Sequence, residues 1–170
     1  AQTSAQFSVD RAPVSFSIVP EKTGYTGLPV VPKVLTDPPG ISFGSSFVGI
    51  RGYPKAPGRY SLEVVSKDQN YAGQKTLILT IEPPDAPKAS LESSTTSGPV
   101  PLTVEFQGKS SGYFDTKSLD TGSGKTIDFM GGKTTVVYDK PGVYTAVYKV
   151  KGPGGTAEDR ITIDVAGPPK

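Results

Sequence analysis

The chain has no cysteine, no histidine and no tryptophan among its 170 residues. Without cysteine there is no disulfide, no zinc–thiolate centre and no thiol nucleophile. Without histidine the commonest general base and the commonest transition-metal ligand are missing as well. Ser and Thr are plentiful, but no imidazole stands ready to activate them. No run approaches the ~20 apolar residues of a membrane-spanning helix, so membrane insertion is not expected. Blocks of like charge are also lacking. The formal net charge is +2, and the basic residues, mostly Lys, are scattered singly. Nucleic-acid readers cluster Arg and Lys, so no nucleic-acid partner is expected. The chain opens on Ala1-Gln2-Thr3. That start fits either a mature end left by signal cleavage or a boundary inside a longer chain.

What is present points to strands and turns. Gly (20) and Pro (17) are abundant, while hydrophobic residues make up only 35%. Tyr and Phe sit among Val, Ile and Thr, the residues that suit a pleated, half-buried surface. Apolar residues recur with period two. Val14, Phe16 and Ile18 alternate with Ser15 and Ser17, and Leu77, Leu79 and Ile81 alternate with Ile78 and Thr80. Val100, Leu102, Val104 and Phe106 repeat the pattern, as do Tyr144, Ala146, Tyr148 and Val150, and then Ile161, Ile163 and Val165. One face is in and one face is out, as in a strand on a core. Turn signals separate the runs at Pro38-Pro39-Gly40, Ala56-Pro57-Gly58, Gly131-Gly132, Lys140-Pro141-Gly142 and Gly152-Pro153-Gly154-Gly155. No segment carries a 3.6-residue apolar period.

The chain also repeats itself. Pro57-Gly58-Arg59-Tyr60 returns as Pro141-Gly142-Val143-Tyr144 at an offset of 84 residues, and Leu79-Thr80-Ile81-Glu82 resembles Ile161-Thr162-Ile163-Asp164. Two similar units one domain length apart predict an all-β chain of two immunoglobulin-like β-sandwich domains in tandem. The first is expected over residues 1–82 and the second over 89–166. A Pro-rich linker at 83–88, with Pro83, Pro84 and Pro87, is expected to act as a short semi-rigid spacer. Residues 167–170 have the same character. Residues 1–12 read equally well as the end of a preceding repeat, with Phe7 and Val9 in its last strand, or as the first strand of this unit.

Within the first unit, Tyr25-Thr26-Gly27 is followed by Ala56-Pro57-Gly58-Arg59-Tyr60 and Asp68-Gln69-Asn70-Tyr71-Ala72-Gly73. In that order these segments resemble the MBG family of bacterial immunoglobulin-like repeats, over roughly residues 13–82. The resemblance gives Asn70, Tyr71 and Gly73 a structural role in one loop. In the second unit, Gly98-Pro99-Val100-Pro101-Leu102 and Tyr138-Asp139-Lys140-Pro141-Gly142-Val143-Tyr144-Thr145 are similar to a PKD domain, over about 86–166. The acid-rich W-D-F-G-D-G segment of that family stands here as Ser118-Leu119-Asp120-Thr121-Gly122-Ser123-Gly124. Leu119 replaces the Trp and Ser123 the second acid, which weakens any calcium role built on that loop.

Pro57, Gly58 and Tyr60, like Pro141, Gly142 and Tyr144, make sense as structure. Pro presets a turn, Gly tolerates positive φ, and a phenol at a sandwich corner buries its ring and returns its hydroxyl to backbone. Three other features bear on chemistry. Asp115, Asp120 and Asp128 form the one acidic set in a loop-rich region; turn bonding comes first, Ca2+ held by oxygen ligands second, and catalysis by paired carboxylates last. Gly122-Ser123-Gly124-Lys125-Thr126 has the look of a phosphate loop, but position 119 is Leu rather than Gly. Among the aromatic residues near loops, Tyr113 and Phe114, with Phe43, Phe47 and Tyr53, could stack on sugar rings, although packing is the plainer role.

No enzyme is expected. The resemblances imply structural or spacer modules of a larger bacterial secreted or cell-surface protein, supporting adhesion or presenting another domain. Neighbouring domains of the same parent would be the partners. One alternative is an accessory module that binds polysaccharide or a surface protein. Another is an immunoglobulin-like module on a phage virion surface.

Overall fold

Prolines and glycines cut the chain into short strands, and the cuts decide which layer each strand joins. A computed structural model describes residues 10–168; the reading of Phe7 and Val9 lies outside the described residues. The chain divides into two compact units between Pro83 and Pro84. Every described element is a strand, so none is a helix long and apolar enough to cross a membrane.

In the first unit the strands are β1 (Ala12–Pro13), β2 (Ser15–Val19), β3 (Lys22–Gly24), β4 (Lys33–Asp37), β5 (Phe43–Phe47), β6 (Gly58–Ser66), β7 (Tyr71–Ala72) and β8 (Gln74–Glu82). One layer pairs β2 with β4, and the facing layer runs β3-β8-β6-β5. Pro20 ends β2, because it has no N–H to extend the ladder, and the chain then crosses to the other layer as β3. There β3 lies parallel to β8, with Lys22 opposite Thr80. Between the layers sit Phe16 and Ile18 from β2, Leu62 and Val64 from β6, and Leu77 and Leu79 from β8. The period-two reading of these strands holds residue by residue.

The second unit contains β9 (Lys88–Ser93), β10 (Ser97–Pro99), β11 (Leu102–Ser111), β12 (Thr116–Asp120), β13 (Thr126–Asp128), β14 (Lys133–Tyr138), β15 (Gly142–Gly152) and β16 (Gly155–Ala166). One layer is β14-β11-β9 and the other β10-β16-β15-β12-β13. Again an early strand, β10, runs parallel to the last, β16. The core holds Val104 and Phe106 from β11, Leu119 from β12, Ala146, Tyr148 and Val150 from β15, and Ile163 and Val165 from β16. Both units are immunoglobulin-like sandwiches, and the expected fold class stands.

Two sequence expectations need correction. The repeat set Leu79 against Ile161. The ladders place Tyr60 opposite Leu79 and Tyr144 opposite Ile163, so the equivalent of Leu79 is Ile163 and the offset stays at 84 residues throughout. A slip of two residues keeps every side chain on its face, which is why the pattern alone did not reveal it. The Pro-rich run, expected as a short semi-rigid spacer over 83–88, is also shorter than expected. Lys88 already belongs to β9, and the Pro84 and Asp85 carbonyl oxygens would lie 2.3 Å from a Cβ placed on Gly154. The run packs against the β15–β16 turn, which only a residue without a side chain can form at that approach.

Candidate functional site

The repeated Pro-Gly-x-Tyr element forms the same corner twice. Gly58 and Gly142 have φ of 154° and 155°, a region that L-residues with side chains rarely enter. Each glycine opens a strand with a tyrosine two residues on. The Tyr60 hydroxyl donates to the Ala56 carbonyl at 2.8 Å and the Tyr144 hydroxyl to the Lys140 carbonyl at 2.9 Å. A Cβ on either glycine would sit 3.5–3.6 Å from the tyrosine ring. These are tyrosine corners, and they lock the turn to the sheet. Each phenol hydroxyl is spent on its own turn.

The Asp68–Gly73 loop is a receptor for β1. The Asn70 N–H donates to Asp68 Oδ1 at 2.8 Å, and the Asn70 carbonyl accepts the Ala12 N–H at 2.8 Å. Two residues on, the Val14 N–H reaches the Ala72 carbonyl. Arg11 spans the same loop, its guanidinium donating to the Asp68 and Tyr71 carbonyls. Gly73 must be bare, since a Cβ there would meet the Val14 carbonyl oxygen at 2.6 Å. Asn70, Tyr71 and Gly73 therefore fasten the first strand to the sandwich through backbone bonds.

The three candidate metal ligands are not gathered. Asp120 and Asp128 lie diagonally across the β12–β13 ladder, where Asp120 faces Thr126 and Asp128 faces Ser118. Asp120 Oδ1 accepts the Gly122 N–H at 2.9 Å and Asp128 Oδ1 the Met130 N–H at 3.0 Å. Both carboxylates thus cap their own turns. Asp115 stands at the far end of β12, where its N–H bonds the Lys151 carbonyl. Among the described residues no group of three or more His, Cys, Asp or Glu is placed to hold a metal ion.

The Gly122–Thr126 loop folds onto itself. Thr121 is fully buried. Its N–H and its hydroxyl both donate to the Lys125 carbonyl, at 2.9 and 3.0 Å, and its carbonyl accepts the Tyr138 hydroxyl at 2.8 Å. Burial, with smaller contributions from Tyr144 and Asp120, pushes the Tyr138 phenol up to about 12. A strand follows this loop, not a helix. The amide funnel that binds phosphate at a helix N-terminus has no place here.

Tyr113 is 47% exposed and borders a hollow of about 330 Å³ with Pro84, Asp85, Ala86, Lys88, Ser111 and Gly112. Phe114 instead packs against the core, with Lys117 Nζ 4.8 Å from its ring centroid. Phe43 and Phe47 belong to β5, where they meet Phe16 and Tyr60 edge-on at 6.2 and 6.4 Å. Tyr53 is exposed in the segment between β5 and β6. Sequence reasoning missed Phe129, 1% exposed although it lies in the Asp128–Gly132 turn; a lone aromatic between turn residues carries no periodic signal.

With the Asp68–Gly73 loop and the Gly58–Tyr60 corner in one sandwich, the likeness to known proteins can be stated. Residues 16–85 match the MBG domain family. Domains of this kind are typically non-catalytic and are common in extracellular proteins. The MBG match ends beside the division between the two units. No curated protein matches the chain. Among solved structures, fibronectin(III)-like modules of Clostridium thermocellum CbhA align over 90% of this chain and 95% of theirs, at 11% identity and a TM-score of 0.44. The N-terminal four Ig domains of Dscam1 isoform 6.9 align over 91% of this chain at 14% identity and a TM-score of 0.34. This chain spans 46% of that one.

Proposed function

We propose that the two units are non-catalytic spacer modules that work outside the cell and hold a neighbouring domain of the same parent protein. The observation that carries this reading is where the motif residues spend their bonds. Tyr60, Asn70, Gly73 and Tyr144 act on their own turns and strands, and the MBG match over residues 16–85 supports a structural module. The second unit takes the PKD-like role on the strength of its own Tyr138–Thr145 segment. Calorimetry of the full chain, run with calcium and again with EDTA, tests the reading. Two transitions indifferent to both agree with it. A transition raised by calcium would mean that the native state binds the ion and would overturn it.

A second reading, an accessory module for polysaccharide or protein, draws on the hollow beside Tyr113. Titration with a panel of soluble polysaccharides, followed by NMR, separates the two. Shifts confined to residues 84–88 and 111–113, lost in Tyr113→Ala, would establish binding.

A further inference from the structure

The two sandwiches differ at one strand. In the second unit β11 is bonded on both sides, to β9 and to β14. Its equivalent in the first unit, β4, is bonded only to β2. The cause is chain length. Residues 121–141 separate β12 from β15 and supply β13 and β14, whereas residues 48–57 separate β5 from β6 and supply no strand. Among the described residues no second strand pairs with the outer edge of β4.

The direction of the free groups can be read from β2. The Val14 N–H bonds Ala72, and the Phe16 carbonyl accepts Lys75 Nζ, so the even-numbered backbone groups there face away from β4. The ladder then runs through Ser15–Asp37, Ser17–Leu35 and Val19–Lys33. On β4 this leaves Val34 and Thr36 presenting N–H and C=O outward. Pro32 and Pro38 bound the strand and confine pairing to residues 33–37. Lys33, Leu35 and Asp37 point to solvent on one face. Leu35 is 39% exposed. Lys33 and Asp37 form no ion pair among the described residues.

We propose that two copies of this chain associate antiparallel through β4, about a two-fold axis at Leu35. In that register Val34 and Thr36 of one copy exchange both backbone hydrogen bonds with Thr36 and Val34 of the other. Lys33 then stands opposite Asp37 of the second copy at both ends, and Leu35 meets its own equivalent. Shifting the axis by one residue toward either end sets Lys33 or Asp37 against Leu35 and loses the charge match. The strand is self-complementary in both hydrogen bonding and charge, as a two-fold interface requires, and like or opposite charges directly across a ladder decide its strength. The joined layer would be β2-β4-β4-β2, with the second copy filling the place that β14 fills beside β11.

Sedimentation equilibrium of the full chain, from about 10 μM to about 1 mM, tests the proposal, because so short an interface belongs to the weak class with Kd on the order of 100 μM. Lys33→Asp and Asp37→Lys should each weaken association about tenfold by setting like charges opposite one another, and the double variant Lys33→Asp/Asp37→Lys should restore it to within about threefold. Leu35→Glu should abolish it. All three positions face solvent, so the melting temperature of the monomer should stay within a few degrees. A wild-type chain that remains monomeric throughout would overturn the proposal. So would a dimer that ignores the single swaps, or a double swap that fails to restore association.

Discussion

The first and second units share a frame and differ in its middle. Both have an early strand parallel to the last strand and a tyrosine corner opening the penultimate long strand. Tyr60 faces Leu79 as Tyr144 faces Ile163. Between β5 and β6 the first unit uses a short segment with exposed Val48, Ile50 and Tyr53, where the second unit inserts two strands. The first unit in turn has a device that the second lacks, the β1 receptor built from Asp68 to Gly73. A sandwich therefore tolerates a changed middle as long as its corner and its early-to-last pairing remain.

The sharpest way to break this comparison is to hollow each core at the matched position. Leu79 and Ile163 are both 0% exposed, and replacing either by Ala should cost about 3 kcal/mol. Thermal unfolding should show the loss in one transition only, a different one for each variant. Next come the glycines that serve one unit alone. Gly122 has φ of 74°, and a Cβ there would lie 2.6 Å from the Thr145 carbonyl oxygen. Gly122→Ala should destabilise the second unit by about 2 kcal/mol, and Gly73→Ala should release β1 in the first, seen as faster amide exchange at Ala12 and Val14.

Smaller effects sharpen the likeness. Tyr60→Phe and Tyr144→Phe each remove one hydroxyl bond to backbone and should cost about 1 kcal/mol apiece in urea unfolding. Unequal losses would mean that the two corners are not equivalent. The pH dependence should separate the units too. Tyr138 has its phenol raised to about 12 from 10.0, so the native state keeps that proton where the unfolded chain loses it. The stability it lends is complete below pH 10 and fades as pH rises toward 12. Alkaline melting should weaken the second unit over that window, and Tyr138→Phe should flatten the response. On the acid side, hydrogen bonds from Lys149 and Arg160 hold Glu158 below its ordinary carboxylate range. That contribution is present above the ordinary value and lost as pH falls; Glu158 is exposed to solvent, so this effect should be the smallest.

The frame was legible because it is written in short periods. Alternation at Val14–Ile18, Leu77–Ile81 and Leu102–Phe106 assigns each residue to a face, and Pro-Gly-x-Tyr marks the corner. Register was not legible, since a two-residue slip between Ile161 and Ile163 leaves the alternation unchanged. The packing of Pro84 and Asp85 against Gly154 was hidden for another reason. It depends on a close backbone approach between distant segments, and a glycine in a turn looks the same with or without it. Whether Asp115, Asp120 and Asp128 converge was not legible either, because it depends on strand direction, and the ladder spreads them. The open edge of β4 was signalled only by what residues 48–57 are too few to build.

The parallel pairing of an early strand with the last has a mechanical consequence. In both units, once the first strands (β1 and β2, or β9) have peeled away, the next strand lies beside the one by which the chain leaves, β3 with β8 and β10 with β16. Tension applied to the two ends pulls such strands in opposite directions along their length. The hydrogen bonds between them are then loaded together in shear, whereas a hairpin pulled at its open end unzips bond by bond. The response to force is set by a rate of rupture rather than by equilibrium stability. A sandwich of modest thermal stability can in this way still carry load along its chain.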